Sequence, residues 1–199
     1  MNKKAPRFTA PITRYRHLLR LDPSTPILDV GSGYGRALAF FRSLGFSSLY
    51  GLEPDPRFFV EGSSYPVAIA KGEAAPFHSG SFGAVVMVGV LSYILEDERR
   101  EVLFKELERI LPPEGLLCGS CFLLSPDPYH QRKYRQGRIR FGVDGAFESD
   151  SGGIYRHSRA SDLRKLLDHF DILSWKQEMF TTQNKRQSLG LVFEALKKE

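Results

Sequence analysis

Apolar positions along the chain fall into short runs separated by helical stripes. Ile27–Leu28 is a short apolar run ending in Asp29 and reads as a buried strand. Gly31, Gly33 and Gly35 follow at alternate positions. Leu38, Phe41 and Leu44 then recur at helical spacing up to Gly45, a residue suited to ending a helix. Ser48–Leu52 predicts a second strand, closed by Glu53 and Pro54. Ala84–Val90 is a near-continuous apolar strand, the pattern of a sheet covered on both faces. Asp97 is placed to cap a helix carrying Leu103, Leu107 and Ile110 on one face, which Pro112–Pro113 stops. Ser161 leads a last helical stripe of Leu163, Leu166, Leu167 and Phe170. Ile172–Trp175 and Leu189–Leu196 are strand candidates separated by the polar stretch Thr182–Gln187.

Two regions break this order. Residues 1–25 form a short lead-in, in which Tyr15, Leu18 and Leu19 suggest a helix. Ser125–His157 is rich in Gly, Asp, Tyr and Arg and shows no clean period. A stretch that long inside a compact domain is a lid or binding element more often than a connector. The α/β core therefore runs from Pro26 to about Leu124, within one domain spanning 1–199.

Composition narrows the reading only a little. Apolar residues make up 42% and charged residues 26%, ordinary for a soluble globular chain. No apolar run approaches the roughly 18 residues of a membrane span. The segment MNKKAPRFTAPITRYRHLLRL is basic and acid-poor, in which it is similar to a transit peptide, but it lacks the apolar stretch of a secretory signal. The expectation is an intracellular, cytoplasmic protein. Cys118 and Cys121 lie in a strand pattern, LLCGSCFLL, so they point to opposite faces and read as buried thiols rather than a redox pair. No second Cys or His pair completes a zinc site, and no metal is expected. The net charge of +5 is concentrated in HQRKYRQGRIR, which carries Arg132, Lys133, Arg135, Arg138 and Arg140 around Tyr134. Such a cluster suits phosphates, a carboxylated substrate or nucleic acid, or it is a solvated loop.

The chemistry is concentrated in PILDVGSGYG, Pro26–Gly35. Strand, glycine turn and helix let backbone approach a nucleotide closely, because glycine lacks the Cβ that would block it. The spacing is not G-x-G-x-x-G, since Arg36 occupies the third small position; it is D-x-G-x-G-x-G, led by Asp29. An acid ending the second strand, here Glu53, can accept both hydroxyls of a ribose. On these residues the chain resembles the class I S-adenosylmethionine (SAM)-dependent methyltransferases, and is similar to the small single-domain enzymes of methyltransferase type 11. Gly72–Phe82, GEAAPFHSGSF, is similar to the family segment GDA…LPF…SFD, and Leu111–Gly115, LPPEG, resembles its L-K-P-G-G turn. Glu73 and Gly83 depart from that pattern, each standing where an aspartate is usual.

The resemblance implies a Rossmann-like, doubly wound sheet of seven mostly parallel strands, closed by an antiparallel C-terminal hairpin. It implies SAM as cofactor and S-adenosylhomocysteine as product. Asp29 would orient the methionyl amine, with Gly31, Ser32, Gly33 and Gly35 along the methionine and ribose. Glu53 would hold the ribose, Leu52 and Pro54 would flank adenine, Glu73 and Ala74 would lie at its edge, and Val90 would complete the site. The lead-in helix would cap this cofactor site, and 125–157 would be the acceptor lid. Tyr93 stands where the family often has a substrate-facing histidine, and reads either as an acceptor-side residue or as a core tyrosine. His130 and His157 bracket the aperiodic segment and are candidate general bases, or surface histidines. The functions open to such a chain are methyl transfer to a small molecule, methylation of RNA or tRNA gripped by residues 130–140, and a non-catalytic SAM-binding sensor.

Overall fold

The computed structural model describes residues 11–58, 65–182 and 186–199. Its centre is a seven-stranded sheet of order β3-β2-β1-β4-β5-β9-β8. The strands are β1 (Ile27–Val30), β2 (Leu49–Leu52), β3 (Val67–Ala68), β4 (Ala84–Val88), β5 (Leu116–Phe122), β8 (Phe170–Thr181) and β9 (Gln187–Lys197). β1 to β5 are mutually parallel. β9 runs antiparallel to β5, and β8 antiparallel to β9. The order changes direction at β1, which pairs with β2 on one side and β4 on the other, so the strand ends at β1 and β4 flank the crevice where α/β sheets take ligands.

Each face of the sheet has its own core, because neighbouring strand residues point to opposite sides. Ile27, Val86, Cys118 and Val192 lie on the face covered by α1 (Arg36–Ser43), with Ala37, Leu38 and Phe41 against them. Leu28, Val85, Leu117 and Phe193 lie on the other, against Leu103, Leu107 and Ile110 of α2 (Asp97–Ile110) and Leu163 of α4 (Ala160–Leu166). Cys118 and Cys121 fall into different cores, and burial pushes both thiols up, Cys121 to about 12. No helix among the described residues is long and apolar enough to cross a membrane.

β4 ends at Val88 rather than Val90, and Glu96 and Arg159, not Asp97 and Ser161, stand at the caps of α2 and α4. Three further expectations need correction. The lead-in forms two 3-10 turns, Pro11–Arg14 and Leu18–Arg20, rather than a helix; residues 1–10 lie outside the described part. Tyr15 and Leu18 are buried beside Phe41, while Leu19 is exposed. The buried Glu194 carboxylate on β9 anchors this segment by accepting from the backbone N–H groups of Arg16, His17 and Leu18 at 3.1, 2.8 and 3.2 Å. Phe170 does not belong to the last helix: α4 ends at Leu166 and Phe170 opens β8.

The third correction concerns 125–157, which is regular. It contains α3 (Pro128–Phe141) and a two-stranded ribbon, β6 (Ala146–Glu148) and β7 (Ile154–Arg156). α3 has strong end signals: Asp127 accepts from the His130 N–H at 3.0 Å, Pro128 opens the first turn, and Gly142 closes the last with φ 71°. Its buried positions are His130, Tyr134 and Gly137, so no aliphatic stripe betrays the helix. Gly137 is needed because a Cβ there would lie 1.8 Å from the Ala146 carbonyl oxygen of β6.

Candidate functional site

The turn after β1 is built by backbone. Gly31 and Ser32 N–H groups both donate to the Leu52 carbonyl, at 2.7 and 3.1 Å, which ties the turn to the end of β2. Gly31, Gly33 and Gly35 all have positive φ, 69°, 51° and 71°, a region that side-chain-bearing residues enter at a cost. Their surroundings differ. A Cβ on Gly31 would meet Val90 Cγ2 at 2.6 Å, and one on Gly35 would meet the Tyr65 hydroxyl at 2.1 Å. A Cβ on Gly33 would meet nothing within 4 Å. Gly31 is thus packed against the turn after β4 and Gly35 against Tyr65, whereas Gly33 lines open space.

Two carboxylates flank this loop. Glu53, buried at the end of β2, accepts from the Gly33 N–H at 2.9 Å and from the Asp55 N–H at 3.0 Å, one bond per oxygen. Each oxygen keeps acceptor capacity for a hydroxyl. Asp29 is only 3% exposed. Its carboxyl is pushed up to about 8 by burial first and the Glu53 charge second, against the opposing pull of Arg36. Ser32 Oγ, three residues on, is buried with no hydrogen-bond partner among the described residues. A buried acid that favours its protonated form, a hydroxyl without a partner among the described residues and an open glycine thus lie in one turn at the end of β1.

The turn after β4 forms the opposite wall. Gly89, at φ 75°, opens a 3-10 turn, Val90–Tyr93, that carries Val90 to Gly31. Arg100, buried in α2, holds this turn by donating to the Leu91 and Ile94 carbonyls at 2.8 Å each and to Ser158 Oγ at 3.0 Å. Burial, then the neighbouring Arg156, brings its guanidinium down to about 10. Arg156 also donates to the Leu95 carbonyl and pairs with Asp97 at 2.7 Å. Sequence reading passed over both arginines, because each lies in a polar stretch with no pattern marking it as buried.

The predicted residues are therefore partly gathered. Asp29, Gly31, Ser32, Gly33, Glu53 and Val90 converge at the strand ends, with Pro54 exposed just after Glu53. Ala74 is exposed in a 3-10 turn, Gly72–Ala74, and Glu73 in that turn is held by Arg99 of α2 at 2.5 Å. Tyr93 is 67% exposed, with its ring edge-to-face against Tyr155 at 5.3 Å. Its hydroxyl is raised by burial first, then by Tyr155, and feels both Arg36 and Glu53. His130 and His157 are buried, not surface, histidines, with ring centroids 5.4 Å apart beside Tyr134 and Phe147. Of the basic cluster, Lys133 pairs with Asp150 and Arg140 with Glu148; Arg132, Arg135 and Arg138 make no ion pair among the described residues. Among the described residues no three His, Cys, Asp or Glu side chains form a metal-holding group. A charged groove of about 540 Å³ between α2 and α4, lined by Arg100, Glu101, Lys105 and Asp162 among others, shares no residue with the glycine loop.

Residues 28–119 match the family described as a methyltransferase domain. The chain is 33% identical over 120 residues to the uncharacterized methyltransferase YodH of Bacillus subtilis, covering 56% of this chain and 49% of that one. It is 37% identical over 92 residues to an uncharacterized Mycobacterium tuberculosis protein, covering 45% and 30%. The chain thus spans half or less of the length of these curated relatives. In fold it is similar to a SAM-dependent methyltransferase from Methanosarcina mazei, with a TM-score of 0.82 and 22% identity over 89% of this chain and 94% of that one. It is also similar to the 1,6-didemethyltoxoflavin-N1-methyltransferase of Burkholderia thailandensis, solved with 1,6-didemethyltoxoflavin and S-adenosylhomocysteine bound. That likeness has a TM-score of 0.67 at 18% identity over 95% of this chain and 77% of the other.

Proposed function

We propose that this chain, which carries over residues 28–119 a methyltransferase domain of the class I SAM-dependent family and has SAM as its cofactor, transfers methyl groups to a small-molecule acceptor. The observation that carries the cofactor side is the pairing of buried Asp29 and Glu53 around the open Gly33. Glu53 accepts from the ribose hydroxyls with the lone pairs its backbone contacts leave over. Asp29 ionises against the methionyl ammonium, and Ser32 Oγ takes a bond to the same end of the ligand. Gly31, Gly33 and Gly35 keep side chains out of the ligand's path, Val90 packs from the β4 side, and Pro54, Glu73 and Ala74 lie toward adenine.

The cofactor supplies a methyl group already activated on a sulfonium sulfur, so the protein's main task is to align the acceptor in line with it. Residues 125–157 form the acceptor-side cover. β7 packs against the turn after β4, bringing Tyr155 to Tyr93. Tyr93, exposed at the strand ends, lies against the acceptor, with His130 and His157 behind it under the cover. Support for a small acceptor comes from the Burkholderia neighbour, whose structure holds 1,6-didemethyltoxoflavin beside S-adenosylhomocysteine.

Calorimetric titration with SAM and S-adenosylhomocysteine, beside Glu53→Ala, tests this reading. Charge-assisted hydrogen bonds contribute about 1.5–3 kcal/mol, so the variant should lose at least roughly tenfold in affinity. No binding by folded, ligand-free wild type would sink the proposal. Binding without turnover on a broad acceptor panel would replace it with a SAM sensor.

A second reading rests on α3. Arg132, Arg135 and Arg138 are exposed, carry no ion pair among the described residues, and share a helix that contains no acid. That surface suits an RNA backbone. Phosphate-driven binding falls steeply with salt. Gel shifts with total RNA, repeated with the three arginines changed to Glu, decide it: loss of a salt-sensitive shift favours RNA, and no shift at low salt removes it.

A further inference from the structure

The two buried histidines of the 125–157 segment have different partners. His130 Nδ1 lies 2.5 Å from Asp127 Oδ2. That oxygen also accepts from Ser125 Oγ at 2.6 Å, and Asp127 Oδ1 accepts from the His130 N–H at 3.0 Å. Burial works against ionisation of Asp127, but the bonds from Ser125 and His130 outweigh it and hold the carboxyl down at about 2. Asp127 is therefore an acceptor only, and the His130 Nδ1 must carry the hydrogen. In its neutral form His130 leaves Nε2 as a bare lone pair.

His157 has the reverse arrangement. Its Nδ1 lies 2.7 Å from the Tyr134 hydroxyl, and that hydroxyl oxygen accepts from the Ser125 N–H at 3.2 Å. Tyr134 is buried, and its O–H hydrogen needs an acceptor; His157 Nδ1 is the one within reach among its hydrogen-bond contacts. Burial pushes the Tyr134 hydroxyl up, which keeps its proton in place. Burial first, and the nearby His130 second, bring His157 down to about 3, so it stays neutral. With Nδ1 accepting, its hydrogen resides on Nε2. Phe122, the last residue of β5, stacks on this ring at 5.2 Å and ties it to the strand ends.

We propose that His130 and His157 are fixed in opposite tautomers and form a base-and-donor pair for an acceptor whose O–H or N–H lies next to a carbonyl-type oxygen. Asp127 and Tyr134 are the positioning residues. Among the described residues neither Nε2 makes a hydrogen bond, and neither is one of the buried polar atoms left without a partner. The acceptor's proton passes to His130 Nε2, whose imidazolium Asp127 then balances. The freed lone pair on the acceptor oxygen or nitrogen forms the new bond to the methyl carbon as the carbon–sulfur bond breaks. The bonding electrons stay on sulfur, whose positive charge disappears. His157 Nε2–H donates to the neighbouring carbonyl oxygen and fixes the acceptor's orientation. Phe147 and Tyr134, in ring contact with both histidines, favour a planar ring as the body of the acceptor.

This inference rests on the methyltransferase reading for its chemistry but not for its first test. Long-range proton–nitrogen spectra of the ¹⁵N-labelled protein at pH 8.5, where an ordinary imidazole is neutral, report the tautomer of each ring. The expected result is His130 protonated on Nδ1 and His157 on Nε2. Asp127→Asn keeps a good helix cap but should release the His130 preference, and Tyr134→Phe should release that of His157. The same tautomer on both rings, or preferences unmoved by these variants, would overturn the assignment.

The acceptor class is then probed with 2-hydroxyacetophenone, with phenol and acetophenone as single-feature controls, on protein first shown to bind SAM. The expected result is that the two-feature probe shifts both ring nitrogens while each control shifts at most one. Turnover of that probe should fall about a hundredfold in Asp127→Asn, because His130 loses the partner that fixes its tautomer and balances its imidazolium, an effect at the lower end of general acid–base contributions. SAM binding with no ring shift from any probe would overturn the acceptor class and leave the cofactor reading intact. Failure to bind SAM would instead count against the methyltransferase reading.

Discussion

Replacing Asp29 with Asn should make the ligand-free protein more stable and its cofactor binding weaker. The carboxyl is pushed to about 8 in the folded protein, chiefly by burial and then by Glu53. Its ordinary value is near 3.9. Between these two values the unfolded chain releases a proton that the folded chain retains, so the folded state loses ground as pH rises from about 4 to 8, and the loss is constant above 8. At pH 7 the accumulated cost has a ceiling of about 4 kcal/mol, taking about 1.36 kcal/mol per unit. Relaxation around the site and burial of the Asn amide reduce this, and a gain of about 2 kcal/mol is expected, or roughly 4–8 °C for a domain of this size. The same substitution removes the partner of the ligand's ammonium and should weaken SAM about ten- to a hundredfold. Differential scanning calorimetry of both proteins from pH 4 to pH 9 measures the first effect. Titration with SAM at pH 7 in buffers of different ionisation enthalpy measures the second, and should show close to one proton released by wild type and none by the variant. A melting difference that is equal at pH 4 and pH 8 would refute the assignment of a buried, protonated Asp29, as would a variant that melts below wild type at pH 8.

Other parts of the molecule make separate predictions. Gly35→Ala should cost several kcal/mol in chemical denaturation, because its Cβ would fall 2.1 Å from the Tyr65 hydroxyl in a backbone at φ 71°. Gly137→Ala should loosen α3 from β6, where the obstacle is backbone at 1.8 Å; faster amide exchange in 128–148 with the central sheet still protected is the expected signature. His157, neutral when folded down to about 3, should make stability fall as pH drops from about 6.5, since the unfolded chain takes up a proton that the folded chain refuses. Urea midpoints at pH 7 and pH 4.5 should converge more in His157→Gln than in wild type. Arg100→Met should disorder the turn at Val90–Tyr93, seen as a loss of SAM affinity larger than its loss of thermal stability predicts.

The glycine turn after β1 was legible because its requirements are local and act on backbone. Glycines at 31, 33 and 35 and acids at the ends of β1 and β2 are close in sequence to the turns they build, and the strands between them are apolar runs. Val90, read as the end of the apolar strand, instead opens the 3-10 turn after β4 and packs against Gly31. The regular structure of residues 125–157 failed to show itself for the opposite reason. α3 buries two aromatic or imidazole rings and a glycine instead of aliphatic side chains, so its period is invisible to a hydrophobic count, although Asp127, Pro128 and Gly142 mark its ends. His130 and His157 stand 27 positions apart and meet only because β6 and β7 fold back over α3. The buried arginines carry the argument further. Arg100 and Arg156 are charged, yet both are buried, and their guanidinium groups donate to the Ile94 and Leu95 carbonyls and add a second bond to the Leu91 carbonyl, which also accepts from the Ile94 N–H inside the turn. A turn that exposes Tyr93 must leave the sheet's hydrogen-bond ladder, and something else must then hold it. In this chain that support comes from α2 and from the inserted ribbon. The turn after β4 therefore depends on residues a reader of the sequence would assign to solvent, whereas the turn after β1 depends on the residues that stand out first.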